Sequence, residues 1–118
     1  MNPTVKAKWI AALRSGEYKQ ARQRLRLPET NAMCCLGVLC DIHRKTVKKA
    51  GYIWRDDQYL CKNDVLPQEV VKWAGLPDSN PDVDCNGRSV ELAVLNDGDS
   101  QTKMHTFKQI ATIIQKQL

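Results

Sequence analysis

Residues 33–43 read MCCLGVLCDIH, and the unbroken apolar stretch from Met33 to Cys40 leaves the chain little choice about what it buries. Such a run falls well short of the roughly 20 apolar residues that a membrane-spanning helix needs. It therefore reads as part of a core. Helical spacing puts Leu36, Leu39, Cys40 and His43 near one face, and the following HRKTVKK sets positive charge toward the C-terminal end, where the helix dipole favours it. Gly37, without a Cβ, would admit a close neighbour. The reading is a helix whose cysteines are core and whose Asp41 and His43 lie near its surface.

Other segments supply the partners for that core. NPTVKAKWIAALRSG predicts a helix capped by Asn2 and stopped by Gly16, with Val5, Trp9 and Leu13 facing inward. Residues 21–27, ARQRLRL, alternate as a half-exposed strand would, with a helical continuation from Tyr18 as the rival. GYIWRDDQYLCKN predicts a hairpin around Asp56 and Asp57, and LPQEVVKWAGLP a short helix with Val70, Trp73 and Ala74 inward and Gly75 as its stop. DSNPDVDCNGRS reads as loop with a tight turn at Asn86-Gly87, while SVELAVLNDG fits strand or helix. Phe107, Ile110, Ala111, Ile114 and Leu118 make a final helical stripe. These elements predict an α+β fold, a small antiparallel sheet flanked by four to five helices, as a single domain over residues 1–118.

Charge is unevenly spread: residues 1–50 hold eleven Lys or Arg against three acids, and residues 51–118 hold seven against ten. One face should attract polyanions. A strand at 21–27 would line up Arg22, Arg24 and Arg26, preceded by Lys19, about 7 Å apart, near the spacing of successive phosphates. These four are the candidate contacts for an anion, a nucleic acid or an acidic partner. The alternative is a solvated edge strand, where charge suppresses aggregation.

The cysteines point to less. Cys40 and His43 form one C-x-x-H pair, but Cys61 and Cys85 stand alone and no second ligand pair follows, so no metal or cofactor is expected. Five thiols, two of them adjacent, with no apolar leader in MNPTVKAKW, fit a reducing cytosol and no membrane association. No motif marks catalytic residues. A Cys/His-dependent hydrolase would have to use His43 or His105.

KWIAALRSGEYKQ, CCLGVLCD, LPQEVVKWAGL, LAVLNDG and FKQIATII, in that order, resemble a family of small uncharacterised proteins of tailed bacteriophages and prophages. The resemblance runs from about residue 8 to the C-terminus and implies expression inside a bacterial cell. It transfers no catalytic residue. Within its pattern Asn96 and Asp97 either line a polar site or cap a helix end. By analogy with accessory phage proteins, the expected function is binding that inhibits or sequesters a host factor, such as an antiphage CRISPR complex or nucleotide signalling. The partner would be a host protein or complex, a nucleic acid or a nucleotide. Non-sequence-specific nucleic-acid binding is the first alternative and the small hydrolase the second.

Overall fold

The apolar run becomes the most enclosed element of the protein. The computed structural model, which describes all of residues 1–118, has eleven elements in the order α1 (Pro3–Ser15), β1 (Arg26–Leu27), β2 (Ala32–Met33), α2 (Cys35–Val47), β3 (Trp54–Arg55), β4 (Gln58–Tyr59), α3 (Gln68–Ala74), β5 (Asp82–Cys85), β6 (Arg88–Glu91), α4 (Leu92–Asp97) and α5 (Phe107–Gln117). The fold is α+β. Its strands form three separate antiparallel ribbons, β1–β2, β3–β4 and β5–β6, where one small sheet was expected. Two-stranded ribbons cannot stand alone. Each sends side chains into one 26-residue hydrophobic cluster shared with the helices, through Met33, Tyr59, Val83 and Val90.

Helix α2 is the centre of that cluster. Every residue from Cys35 to His43 is buried, the pattern of a helix surrounded on all sides, and it packs against α1, α3, α4 and β2. Asp41 and His43 are therefore interior, 3% and 2% exposed, and not near the surface as their polarity predicts. Cys34 caps the helix, its Sγ accepting from the Gly37 N–H at 3.4 Å. Trp9, the middle residue of the inward stripe of α1, donates from Nε1 to the Cys35 carbonyl at 2.9 Å. The first helix is thus fastened to the start of the second. Helix α1 also lies along α5, whose Thr106 and Gln109 form a reciprocal capping box.

The arginine segment is not a strand over residues 21–27. Gln23 takes a left-handed backbone, φ 67°, and its N–H goes to the Asp97 carboxylate at 3.0 Å instead of to a ladder. The flanking amides scatter likewise: Ala21 bonds to Met33 and Leu25 to Asn63. Only Arg26 and Leu27 remain extended and paired. The alternation of Ala21 and Leu25 with exposed Arg22, Gln23 and Arg24 has another cause, a loop whose two apolar side chains anchor in the core. Elsewhere Asp56 and Asp57 turn the β3–β4 hairpin, and Asn86-Gly87 turns β5–β6, whose strands occupy what reads as loop. The ambiguous SVELAVLNDG divides between them: strand to Glu91, helix from Leu92. In α3 the inward side chains are Val70, Val71 and Ala74, with Trp73 only half-buried. None of the helices is long and apolar enough to cross a membrane.

Gly37 is where the loop and the central helix meet. A Cβ there would overlap the Leu25 carbonyl oxygen and stand 2.8 Å from its carbon. Gly37→Ala is expected to destabilise by about 3 kcal/mol, because backbone and not a flexible side chain would have to yield. At Gly16, nothing lies within 4 Å and only the left-handed φ of 79° resists a side chain. Gly16→Ala should therefore cost about 1 kcal/mol. Urea unfolding of both variants checks this; equal losses would show that the Leu25 backbone moves aside.

Candidate functional site

The four basic residues picked out by sequence are held in different ways. Lys19 and Arg22 are exposed and make no side-chain hydrogen bond or ion pair. Arg24 bonds its own loop at the Gln23 carbonyl and pairs with Asp57 at 3.3 Å. Arg26 reaches the same hairpin turn: Nε donates to Asn31 Oδ1 at 2.8 Å, Nη1 to the Asp56 carbonyl at 2.7 Å, and the guanidinium stands 5.8 Å from the centre of the Trp54 ring. A left-handed residue between the arginines separates them, so the even phosphate-like spacing does not form.

Asn96 is an internal clasp. It is fully buried, its Oδ1 accepting from Gln20 Nε2 and the Cys35 N–H, and its Nδ2 donating to the Ala21 carbonyl and to Asp97. All four of its hydrogen-bonding positions are used, which is what makes a buried amide tolerable. It closes neither a site nor the end of its own helix; it satisfies the first amide of α2 and holds the loop at residues 20–23. Asp97 lines a small cleft of about 200 Å³ together with Arg24, Cys34 and Asp64.

The larger of the two clefts lies around Asp41. A cleft of about 320 Å³ is lined by Glu17 and Tyr18 after α1, Arg26 and Asn31 of the first hairpin, Asp41, Arg44 and Lys45 of α2, and Trp54 of β3. Its floor is the Asp41 carboxylate. Oδ1 accepts from Trp54 Nε1 at 3.0 Å and from Arg44 Nε and Nη2 at 2.9 and 2.8 Å. Oδ2 accepts from the Tyr18 hydroxyl at 2.7 Å and pairs with Lys45 at 3.2 Å. Burial by itself raises the pKa of Asp41, but the hydrogen bonds from Tyr18, Trp54 and Arg44 outweigh it and hold the carboxyl below its ordinary range. Lys45 is shifted up, chiefly by its hydrogen bond to Tyr18, and the Tyr18 phenol is shifted up by burial and by Asp41. At neutral pH the cleft therefore holds an ionised Asp41, a neutral Tyr18 phenol and a charged Lys45, with Glu17, Arg26 and Arg44 also on its walls. Sequence reasoning missed this group, although Asp41 with Arg44 and Lys45 has the helical i, i+3 and i, i+4 spacing that brings charges together.

The thiols and imidazoles are placed differently. Cys34, Cys35 and Cys40 are buried, and burial pushes Cys34 up to about 11 and the other two well above the ordinary thiol value. Cys61 is exposed and Cys85 half-buried. His43 bonds through Nδ1 to the Tyr59 hydroxyl at 2.7 Å, with the rings of Tyr52 and Trp73 at 4.6 and 5.0 Å. Burial lowers its pKa, against an opposing pull from Glu69, so the ring is neutral at pH 7. His105 is half-buried and bonds to the Lys103 carbonyl. Neither histidine is hydrogen-bonded to a thiol or a carboxylate.

Two measurements follow. Asp41→Asn should lower stability at pH 7 by about 2 kcal/mol, the scale of hydrogen bonds to a charged group, because Arg44 and Lys45 stay partly solvated when they lose it. With a depressed folded pKa, the carboxylate's contribution is complete above the ordinary value near pH 4 and is lost as pH falls through the folded value. The gap between wild type and variant in urea unfolding should thus close below about pH 4; a constant gap down to pH 3 would mean that shape and not charge matters. In the native protein a thiol reagent should label Cys61 quickly and spare Cys34, Cys35 and Cys40 until unfolding. Fast labelling of Cys34 would show that the second cleft opens onto its sulfur.

No curated protein and no solved structure matches the chain. The model of one protein family, described as "Domain of unknown function (DUF8296)", matches residues 1–118, its full length. The Asp41 cleft and the core around α2 therefore belong to a member of the DUF8296 family.

Proposed function

We propose that this chain works by binding: a phage- or prophage-encoded protein of the bacterial cytoplasm that inhibits or sequesters a host factor through its Asp41 cleft. Antiphage defence, by a CRISPR complex or by nucleotide signalling, is the process it would interfere with. The phage setting is drawn from the order of the five sequence motifs. The observation that supports binding is the contrast between the two kinds of reactive group. Cations line an open cleft, held in place by a buried carboxylate, whereas the thiols of α2 and the His43 imidazole are shut in the core with their charged forms disfavoured. Nucleophilic chemistry needs an accessible thiolate beside a base, and the hydrolase reading draws no support from that arrangement. Lys19 and Arg22, exposed and unpaired, favour nucleic-acid contact as the second reading. It would show as affinity for DNA or RNA that falls steeply with salt.

The test uses the tagged full-length protein and an Arg44→Ala/Lys45→Ala variant as baits in the bacterial host, with proteins and small molecules identified by mass spectrometry in one sample. Wild type is expected to retain a component that the variant loses. Recovery of the same set by both would remove the cleft as the contact surface.

A further inference from the structure

We infer that the Asp41 cleft is a site for a phosphate group carrying two negative charges, presented as a phosphate monoester of a small molecule or as the free ion. This rests on the reading of the cleft as a binding site and gives it a ligand chemistry.

Each cation of the cleft keeps a donor that the protein does not use. Arg44 commits Nε and Nη2 to Asp41, leaving Nη1 without a protein partner. Arg26 commits Nε and Nη1 to Asn31 and Asp56, leaving Nη2. Lys45 gives Nζ to the Tyr18 hydroxyl at 3.2 Å and to Asp41, leaving its third proton, and the Asn31 amide nitrogen is likewise unused. The residues lining the cleft thus keep a set of unspent N–H groups, three of them cationic, that come from a hairpin and a helix. Asp41 offers a ligand nothing in return, because four side chains already saturate its two oxygens. Glu17 is the other carboxylate of the cleft, and it is exposed.

Geometry then favours a tetrahedral anion over a planar one. A carboxylate presents two oxygens in one plane and is satisfied by a single guanidinium fork. The forks of Arg44 and Arg26 are already turned to protein acceptors, so what remains are single donors on separate elements, which a group with three terminal oxygens can meet together. The aromatic rings favour recognition of the anionic group over a stacked base. Arg26 stands over Trp54, Tyr59 packs against the same indole at 5.2 Å, and Lys45 stands 5.3 Å over Tyr18. The volume sits at the lower end of the range for small-molecule sites, about 300 Å³ upward, and suits one phosphorylated small molecule.

The groups facing the phosphate are Glu17, Tyr18, Arg26, Asp41, Arg44 and Lys45, and the shifts of Asp41 downward and of Tyr18 and Lys45 upward move those three away from the range between pH 5.5 and 7.5. The ligand titrates within it, with a second pKa of about 6. Calorimetric titration of the full-length protein with ribose 5-phosphate, inorganic phosphate and acetate, with the Trp54 indole N–H followed by NMR, tests the assignment. Both phosphates should bind and move the Trp54 signal, acetate at least tenfold more weakly, and ribose 5-phosphate affinity should fall about fourfold from pH 7.5 to 5.5, following the dianion fraction, while inorganic phosphate, with its higher second pKa, should fall more steeply. Arg26→Gln, Arg44→Gln and Lys45→Gln should each lose about tenfold or more, and Lys72→Gln nothing. Tighter binding of ribose 5-phosphate identifies an ester as ligand; equal affinity identifies the free ion. Acetate binding as well as phosphate overturns the phosphate assignment and leaves an anion-binding cleft. Phosphate binding that survives the three substitutions overturns the site. No anion binding, together with a partner still lost by the Arg44→Ala/Lys45→Ala bait, overturns this inference alone.

Discussion

Asp41 is a carboxylate on the most enclosed helix of the protein, and stripping water from such a group costs several kcal/mol unless partners replace it. The partners come from three places: Tyr18 from the turn after α1, Arg44 and Lys45 from the next turn of α2, and Trp54 from the β3–β4 hairpin. Each is required by the same buried charge, so the positions of the turn and of the hairpin relative to α2 are fixed together. Apolar contacts could hold these segments in many relative placements. A carboxylate with two oxygens and four donors is far more selective, and the open cleft is the outer side of that arrangement.

The elements that sequence reveals are those whose signals are local. Asn2 and Gly16 bound α1, and the apolar stripes of α1 and α5 face inward because a 3.6-residue period has one physical solution. Gly37 reads correctly as a point of close approach, though only the fold identifies the Leu25 backbone as the neighbour. The α+β class follows from the mixture of periods. What fails is the strand at 21–27, because a period of two in four or five residues arises equally from a loop with two buried anchors, and the amide of Gln23 is claimed by Asp97, 74 residues away. For the same reason three ribbons replace one sheet: residue pattern marks strands but does not pair them.

Site residues divide along the same line. Arg26 is legible as a cation, but its neighbours Tyr18 and Trp54 lie 23 and 13 positions from Asp41, and nothing in the local sequence links them. Asp41 and His43 mislead because polar side chains on a helix are ordinarily solvated. Both are buried here with specific partners, a carboxylate among four donors and an imidazole on a phenol. Asn96 misleads in the opposite direction. Its position beside an apolar run suggests a site or a cap, and the fold uses it as a four-bonded clasp between α4, the loop before β1 and the start of α2.

The buried carboxylate bears on how well the proposed site would bind. Ordering a long charged side chain on association costs about 0.5–1.5 kcal/mol, and an exposed row of arginines would bear that cost for each contact. In the Asp41 cleft, Arg44 and Lys45 are already held by the carboxylate, Arg26 by Asn31 and the Asp56 carbonyl, and two aromatic rings lie beneath the cations. The ordering is met during folding, where it is offset by the core. In the proposed site Asp41, itself saturated by protein donors, would therefore contribute to affinity by positioning the cations that meet the ligand.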